Sequence, residues 1–282
     1  MRNFLLIGLA AVLFSAVAAI AADRPAMVID LQGKVTLESG GGAGGIGILS
    51  TLSAGATLTL GPQARVVMVY LKSGDEYELA GPGRYQVGVV EPEAISGAKP
   101  IKHKTALASY GAGRINPMGK VQAGLVMRGG TIKSLRLLEP SGSLVSSERP
   151  TFRWEAVPGA KSYHFELDND TGATMAEGTV NEPVFSLPAG VVLAEKMPYS
   201  WGVETSVDGR QYAKWHQFSV LDKGERERLE KLKPGDNATF GERVLYAAML
   251  EEMGLREDAR PLWKTLAMER PDDTRLQALA GD

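Results

Sequence analysis

The chain has 282 residues, 44% hydrophobic and 23% charged, with 33 Gly, 15 Pro and a formal net charge of −2. This is a globular composition, which excludes disordered, collagenous and multi-spanning membrane classes. The absence of Cys removes disulfides, thiolate zinc sites, iron–sulfur ligation, a thiol nucleophile and a lipidated Cys, and three His leave little imidazole chemistry.

The length predicts about two domains, or three if the β modules are small. Arg2 precedes a run from Phe4 to Ala22 without a charged residue, ending in Ala18-Ala19-Ile20-Ala21-Ala22 ahead of Asp23 and Arg24. That layout is a secretory signal with a small-residue cleavage site after Ala21 or Ala22. Residues 1–22 are therefore read as a signal peptide and the mature chain as periplasmic. The rival readings are secretion beyond the envelope and an uncleaved anchor, because the uncharged run just reaches spanning length. No later window approaches that length, so no integral span is expected after cleavage.

Residues 23–90 read as short strands. Met27, Ile29 and Leu31 alternate with Val28, Asp30 and Gln32 before Gly33, and Val35 and Leu37 resume the alternation, which predicts a hairpin. Leu58 and Leu60 lead to Gly61-Pro62, Arg65 to Leu71 is a β-rich run, and Ser73-Gly74-Asp75 turns again. Tyr77 and Leu79 then precede Gly81-Pro82-Gly83. A compact barrel or sandwich follows, with Gly40 to Gly47 as a flexible loop.

The string from Leu52-Ser53-Ala54-Gly55-Ala56-Thr57-Leu58 through Arg65–Asp75 to Leu79 resembles a FecR-like domain. Well-known members of that family are periplasmic halves of signalling proteins that pass a surface signal across the inner membrane to a sigma factor. These 282 residues show no counterpart of the cytoplasmic region and internal span of that plan. The resemblance therefore implies a periplasmic interaction module, with regulation through a membrane signalling partner as an alternative.

Residues 91–137 read as a basic connector. Between Ala94 and Leu138 stand Lys99, Lys102, Lys104, Arg114, Lys120, Arg128, Lys133 and Arg136, with no acid among them. Lys99, Lys102, Lys104 and Arg114 are candidate contacts for an anionic partner. The plainer expectation is that the connector lies against the next module, where residues 138–222 hold 12 Asp+Glu against 6 Lys+Arg. Export and the scarcity of interleaved aromatics argue against nucleic acid.

Residues 138–222 carry aromatic alternation. Glu139-Pro140-Ser141-Gly142 precedes Arg149-Pro150-Thr151-Phe152-Arg153-Trp154, Val157-Pro158-Gly159-Ala160 and Tyr163-His164-Phe165-Glu166-Leu167. Phe152 and Trp154 share one strand face, and Tyr163, Phe165 and Leu167 share another. Tyr199–Val203 and Trp215–Val220 repeat the pattern. The region resembles a fibronectin type III-like sandwich with Trp154 on its second strand. Trp154, Tyr163, Phe165 and Trp201 are its predicted core, and the resemblance implies a non-catalytic binding or spacer unit.

Residues 223–282 turn helical. Gly224 to Leu232 stops at Pro234-Gly235, Arg243 to Met253 ends at Gly254, and Arg256 to Glu269 ends at Pro271. Ala247, Gly254, Ala259, Trp263, Leu266 and Pro271 resemble the positions of a tetratricopeptide-like hairpin of two antiparallel helices, with Trp263 filling its cleft. A single unit cannot stack on copies of itself. Its second face must be buried on the preceding sandwich or against another protein, for which the cleft around Trp263 offers a groove.

Motifs for chemistry fail in context. Gly40-x-Gly42-x-x-Gly45 lies in a hairpin, and the position twenty residues on is Arg65 rather than an acid. Gly113 to Gly119-Lys120 has five intervening residues and ends in Val121 instead of a hydroxyl. Asp168-Asn169-Asp170-Thr171-Gly172 lacks the bidentate Glu of a calcium loop, since Thr179 holds that place. A turn built on Asx side chains explains it. His103, His164 and His216, expected in a loop, a third strand and a last strand, stand near no HExxH or nucleophile-elbow motif.

The fold class expected is mainly β: a small FecR-like module, a fibronectin type III-like sandwich and a short C-terminal helical hairpin. No catalytic residue, cofactor or metal ligand is assigned. The function expected is a non-enzymatic envelope adaptor or sensor-type protein working through protein contacts, with cell-wall or polysaccharide binding as the alternative.

Overall fold

The structure, a computed structural model, describes residues 24–39, 42–103 and 133–281. The signal segment, the Gly113–Lys120 motif, Lys104 and Arg114 lie outside the described residues. The chain is mainly β, with helices at its C-terminal end.

The first β unit contains β1 (Ala26–Gln32), β2 (Val35–Ser39), β3 (Gly42–Gly44), β4 (Thr51–Leu52), β5 (Thr57–Leu60), β6 (Arg65–Tyr70), β7 (Glu76–Ala80), β8 (Gly83–Val87), β9 (Pro92–Ser96) and β10 (Ile101–His103). They form two antiparallel five-stranded sheets, β10-β7-β6-β1-β4 and β3-β2-β5-β8-β9. Val28, Val66 and Met68 from one sheet and Leu58, Leu60 and Tyr85 from the other meet in a shared core.

Period-two alternation predicts one wet face for β1, but both its faces are dry. Met27 and Ile29 leave the sheet on the side opposite Val28, and Val67 and Val69 of β6 do the same, joining a second core made with the C-terminal helices. Two stretches expected outside regular structure are strands. The glycine loop 40–47 contains β3, paired with β2. Inside the expected connector, β9 pairs with β8 and β10 with β7. The 91–137 connector boundaries are corrected accordingly: backbone ladder bonds tie its first part to the first β unit.

The second unit contains β11 (Lys133–Ser134), β12 (Leu137–Glu139), β13 (Leu144–Val145), β14 (Thr151–Trp154), β15 (Tyr163–Asn169), β16 (Thr174–Val180), β17 (Val184–Ser186), β18 (Pro198–Val207) and β19 (Arg210–Val220). One sheet runs β11-β19-β18-β15-β16, with β13 also paired to β19; the facing sheet is β12-β14-β17. Between them Phe152 lies 4.9 Å from Phe165 and 5.1 Å from Trp201, and Phe185 stacks on Phe165 at 4.0 Å. Trp154, Tyr163, Phe165 and Trp201 are each at most 3% exposed. The β18–β19 hairpin turns through Asp208-Gly209, both at positive φ, as a tight two-residue hairpin turn requires.

The helices are α1 (Lys223–Leu232), α2 (Phe240–Glu252), α3 (Arg256–Glu269) and α4 (Thr274–Gly281). Asp222 caps α1, and Thr239 with Glu242 forms a capping box on α2. The fourth helix corrects the expected two-helix hairpin. Pro271 stops α3, but Asp273 Oδ1 then accepts from the Arg275 and Leu276 amides and starts a new turn. Its single buried residue, Leu276, leaves too little periodicity to read.

The second helical face is buried on the first β unit as well as on the sandwich, which neither expected arrangement anticipates. Ile29 on β1 touches α2 at Gly241, where a Cβ would meet the isoleucine side chain. Arg270 reaches Asp30 at 3.2 Å, and Arg275 reaches Ser50 Oγ at 2.9 Å. On the other side Asp258 accepts from Ser146 Oγ at 2.8 Å, and Arg260 pairs with Glu139 at 2.8 Å. The helices thus join the two β units. Trp263 is 1% exposed in this shared core, so most of its ring is packed within the fold rather than offered to a partner. Among the described residues no helix is long and apolar enough to cross a membrane.

Candidate binding cleft

The predicted anion contacts do not converge. Lys102, on β10, pairs with Asp75 at 3.0 Å and lies 5.6 Å from the Tyr77 ring centre. Its hydrogen bond to Asp75 raises the lysine pKa and lowers that of the carboxyl. The start of the connector is therefore held by acids of its own unit, while its described end, from Lys133 to Leu137, pairs with strands of the sandwich, so the expected contact with the next module holds for that end alone. Lys99 is exposed between β9 and β10.

His103 belongs to strand β10, not a loop, with Glu78 at 3.4 Å. His164 is exposed on β15. Asp168 and Asn169 end β15, and the turn that follows is organised by Asn169 Oδ1, which accepts from the Thr171 and Ala173 amides. Among the described residues no three His, Asp or Glu are grouped to hold a metal ion.

A different cluster forms where the sandwich meets the helices. Its geometry begins with the 140–146 loop. The Trp201 indole donates to the Pro140 carbonyl at 3.2 Å, the His216 ring lies 2.9 Å from the Gly142 carbonyl, and the Ser141 amide donates to Glu257 at 2.7 Å. Gly142 lies against the α2–α3 turn so closely that a Cβ would collide with the Gly254 carbonyl. Gly254 itself has φ +85°, the left-handed conformation that glycine adopts without strain. The Leu144 amide donates to that same carbonyl at 3.2 Å.

Two adjoining recesses border this loop and share Arg136, Leu137 and Ser141. The first, about 340 Å³, is completed by Leu138, Glu251, Arg256, Arg260, Trp263 and Leu279. The second, about 330 Å³, is completed by Leu135, Lys214 and His216. Arg256, Arg260 and Trp263 are four and three residues apart and so share one face of α3.

Charge is biased in one direction. Arg256 meets Glu251 at 3.2 Å, and Arg260 meets Glu139, whereas Arg136 and Lys214 make no salt bridge among the described residues. Four cationic side chains therefore line the cleft with Glu251, while Glu139 on Arg260 and Glu257 on Ser141 stand directly behind the lining. The Trp263 indole Nε1 is enclosed and has no hydrogen-bond partner among the described residues. Beside the cleft, burial raises the pKa of Asp258. The arrangement suits electrostatic recognition of an anion against an apolar wall.

Sequence reasoning includes Arg136 in its basic run but misses Lys214, Arg256 and Arg260. The four-residue spacing of the two arginines is a visible signal on α3. Their meeting with strand β12 depends on long-range packing.

No protein-family model matches the chain, and no curated protein matches it. Among solved structures, CopC from Methylosinus trichosporium OB3b aligns with 31% of this chain and 93% of its own length, at 20% identity and a TM-score of 0.23. A score at that level does not establish a shared fold.

Proposed function

We propose that this chain is an exported adaptor that binds another envelope protein, through the cleft between its sandwich and its helices. The observation that carries this reading is the cleft itself. It lies at the junction of two structural units, its walls combine leucines with guanidinium groups, and its loop is clamped from both sides. Such prearrangement lowers the ordering cost of association.

The signal-like N-terminus supports a periplasmic site of action, and the FecR-like and fibronectin-like resemblances support an interaction role. The helices add the rigidity that an adaptor needs to hold a partner in a fixed orientation. Chemical crosslinking in intact cells, run beside a pull-down on purified peptidoglycan, tests the reading. A discrete protein adduct supports it. Retention on peptidoglycan with no protein adduct overturns it in favour of a cell-wall module.

A further inference from the structure

We propose that the occupant of this cleft is an acidic peptide segment of the partner, with one carboxylate held between Arg136 and Arg256 and a neighbouring apolar side chain resting on Leu137 and Leu279. The inference rests on the adaptor reading and specifies its ligand. Three observations converge on it.

The first is charge. Glu251 and Glu139 already offset Arg256 and Arg260, so the uncompensated charge comes from Arg136 in the shared wall and Lys214 in the second recess. Two cations in adjoining recesses match an extended chain carrying acids in both, rather than one isolated ion.

The second is donor geometry. The Glu251 contact to Arg256 is made through Nε. A guanidinium carries five N–H donors in a planar fork, and a carboxylate is the planar acceptor that fits such a fork.

The third is the wall. Leu137, Leu138 and Leu279 are only partly buried and line the larger recess beside the arginines. A glycan would call for an exposed aromatic platform and a balance of donors and acceptors. Trp263 is 1% exposed, and Glu251 is the one carboxylate in the lining. An acid next to an aliphatic side chain uses both kinds of surface.

The test is fluorescence polarisation on the whole mature chain with a labelled peptide of alternating Glu and Leu, its Gln and Leu counterpart, and polyphosphate as competitor. The Glu peptide is expected to bind at least about tenfold more tightly than the Gln peptide, with affinity falling as salt rises. The double variant Arg136→Ala, Lys214→Ala is expected to lose about tenfold while its melting curve stays that of the parent. The indole ¹H–¹⁵N signal of Trp263, one of four Trp in the chain, should shift on titration.

Equal binding of the Gln peptide, or an unchanged affinity in the double variant, overturns the inference. Displacement by polyphosphate at a lower concentration than by unlabelled Glu peptide also overturns it, by showing a generic polyanion site. A protein adduct in cells with no acidic-peptide binding would remove this ligand class and leave the adaptor reading standing. Peptide binding at the cleft with cell-wall adducts alone would remove the adaptor reading.

Discussion

Asp30 on β1 and Arg270 at the end of α3 are 240 residues apart in the chain and 3.2 Å apart in the fold. The carboxylate side chain is 4% exposed and also meets Arg65 at 2.8 Å. It is thus a buried charge that lies between its own strand pair and the last third of the protein. Replacing Asp30 with Ala is expected to cost about 2–3 kcal/mol, below the usual figure for breaking a buried pair because Arg65 keeps Glu78 and Arg270 keeps the face of Phe240. Urea denaturation gives the cost, and hydrogen exchange should show α3 losing protection.

Trp263 belongs to the core that β1 and β6 share with the helices. Trp263→Ala is expected to cost about 3–5 kcal/mol, and the amides of β1 should lose protection together with those of α2 and α3. Trp154→Ala carries a similar cost, with the loss centred on the sandwich, where Trp154 packs. A change under about 1 kcal/mol at either position would contradict the packing described.

Asp258 gives a pH dependence of determinate sign. Burial raises its pKa above the usual aspartate range, so between the unfolded and folded values the native chain binds more protons than the unfolded one. That contribution to stability is present at low pH and is lost as pH rises through the raised pKa. Asp258→Asn keeps an acceptor for Ser146 and removes the buried charge. It should melt at a higher temperature than the parent at neutral pH, with the difference vanishing in acid. Glu78 and Glu269 run the other way. Hydrogen bonds from Arg65 and Arg243 lower their pKa, so their contribution is lost as pH falls through those lowered values. Melting curves of parent and variant across pH separate the two trends.

Gly254→Ala tests the seam beside the cleft without changing its charge. The position has φ +85°, and a Cβ there would meet Ser143 Oγ. The expected cost is about 1–2 kcal/mol, together with faster exchange of the Leu144 amide, which donates to the Gly254 carbonyl. Slow exchange at Leu144 in the variant would show that the seam is held elsewhere.

Much of the β architecture was legible because strand positions follow local alternation and turn residues. Trp154, Phe165 and Trp201 announce a core through spacing alone. Burial on the second face of β1 was not legible, because Met27 and Ile29 fit an ordinary alternating strand whether helices or water lie beyond them. The docking of α2 hinges on Gly241 lying against Ile29, a contact with no local signature. The cleft combines Arg136 from the β11–β12 link, Lys214 from β19 and Arg256 from α3, and their convergence is a property of the fold rather than of any window of sequence. Lys102 shows the converse: it stands in a conspicuous basic run, yet Asp75 on the neighbouring turn accounts for it.

Photocrosslinking from the cleft in intact cells tests the central claim most directly. With a photoreactive amino acid at position 138, which lines the larger recess, the account predicts a discrete adduct with one envelope protein. That adduct should be lost when Arg136→Glu is added and retained when the exposed His164 is replaced by Ala. Adducts confined to cell-wall polymer, or a protein adduct indifferent to Arg136→Glu, would contradict it.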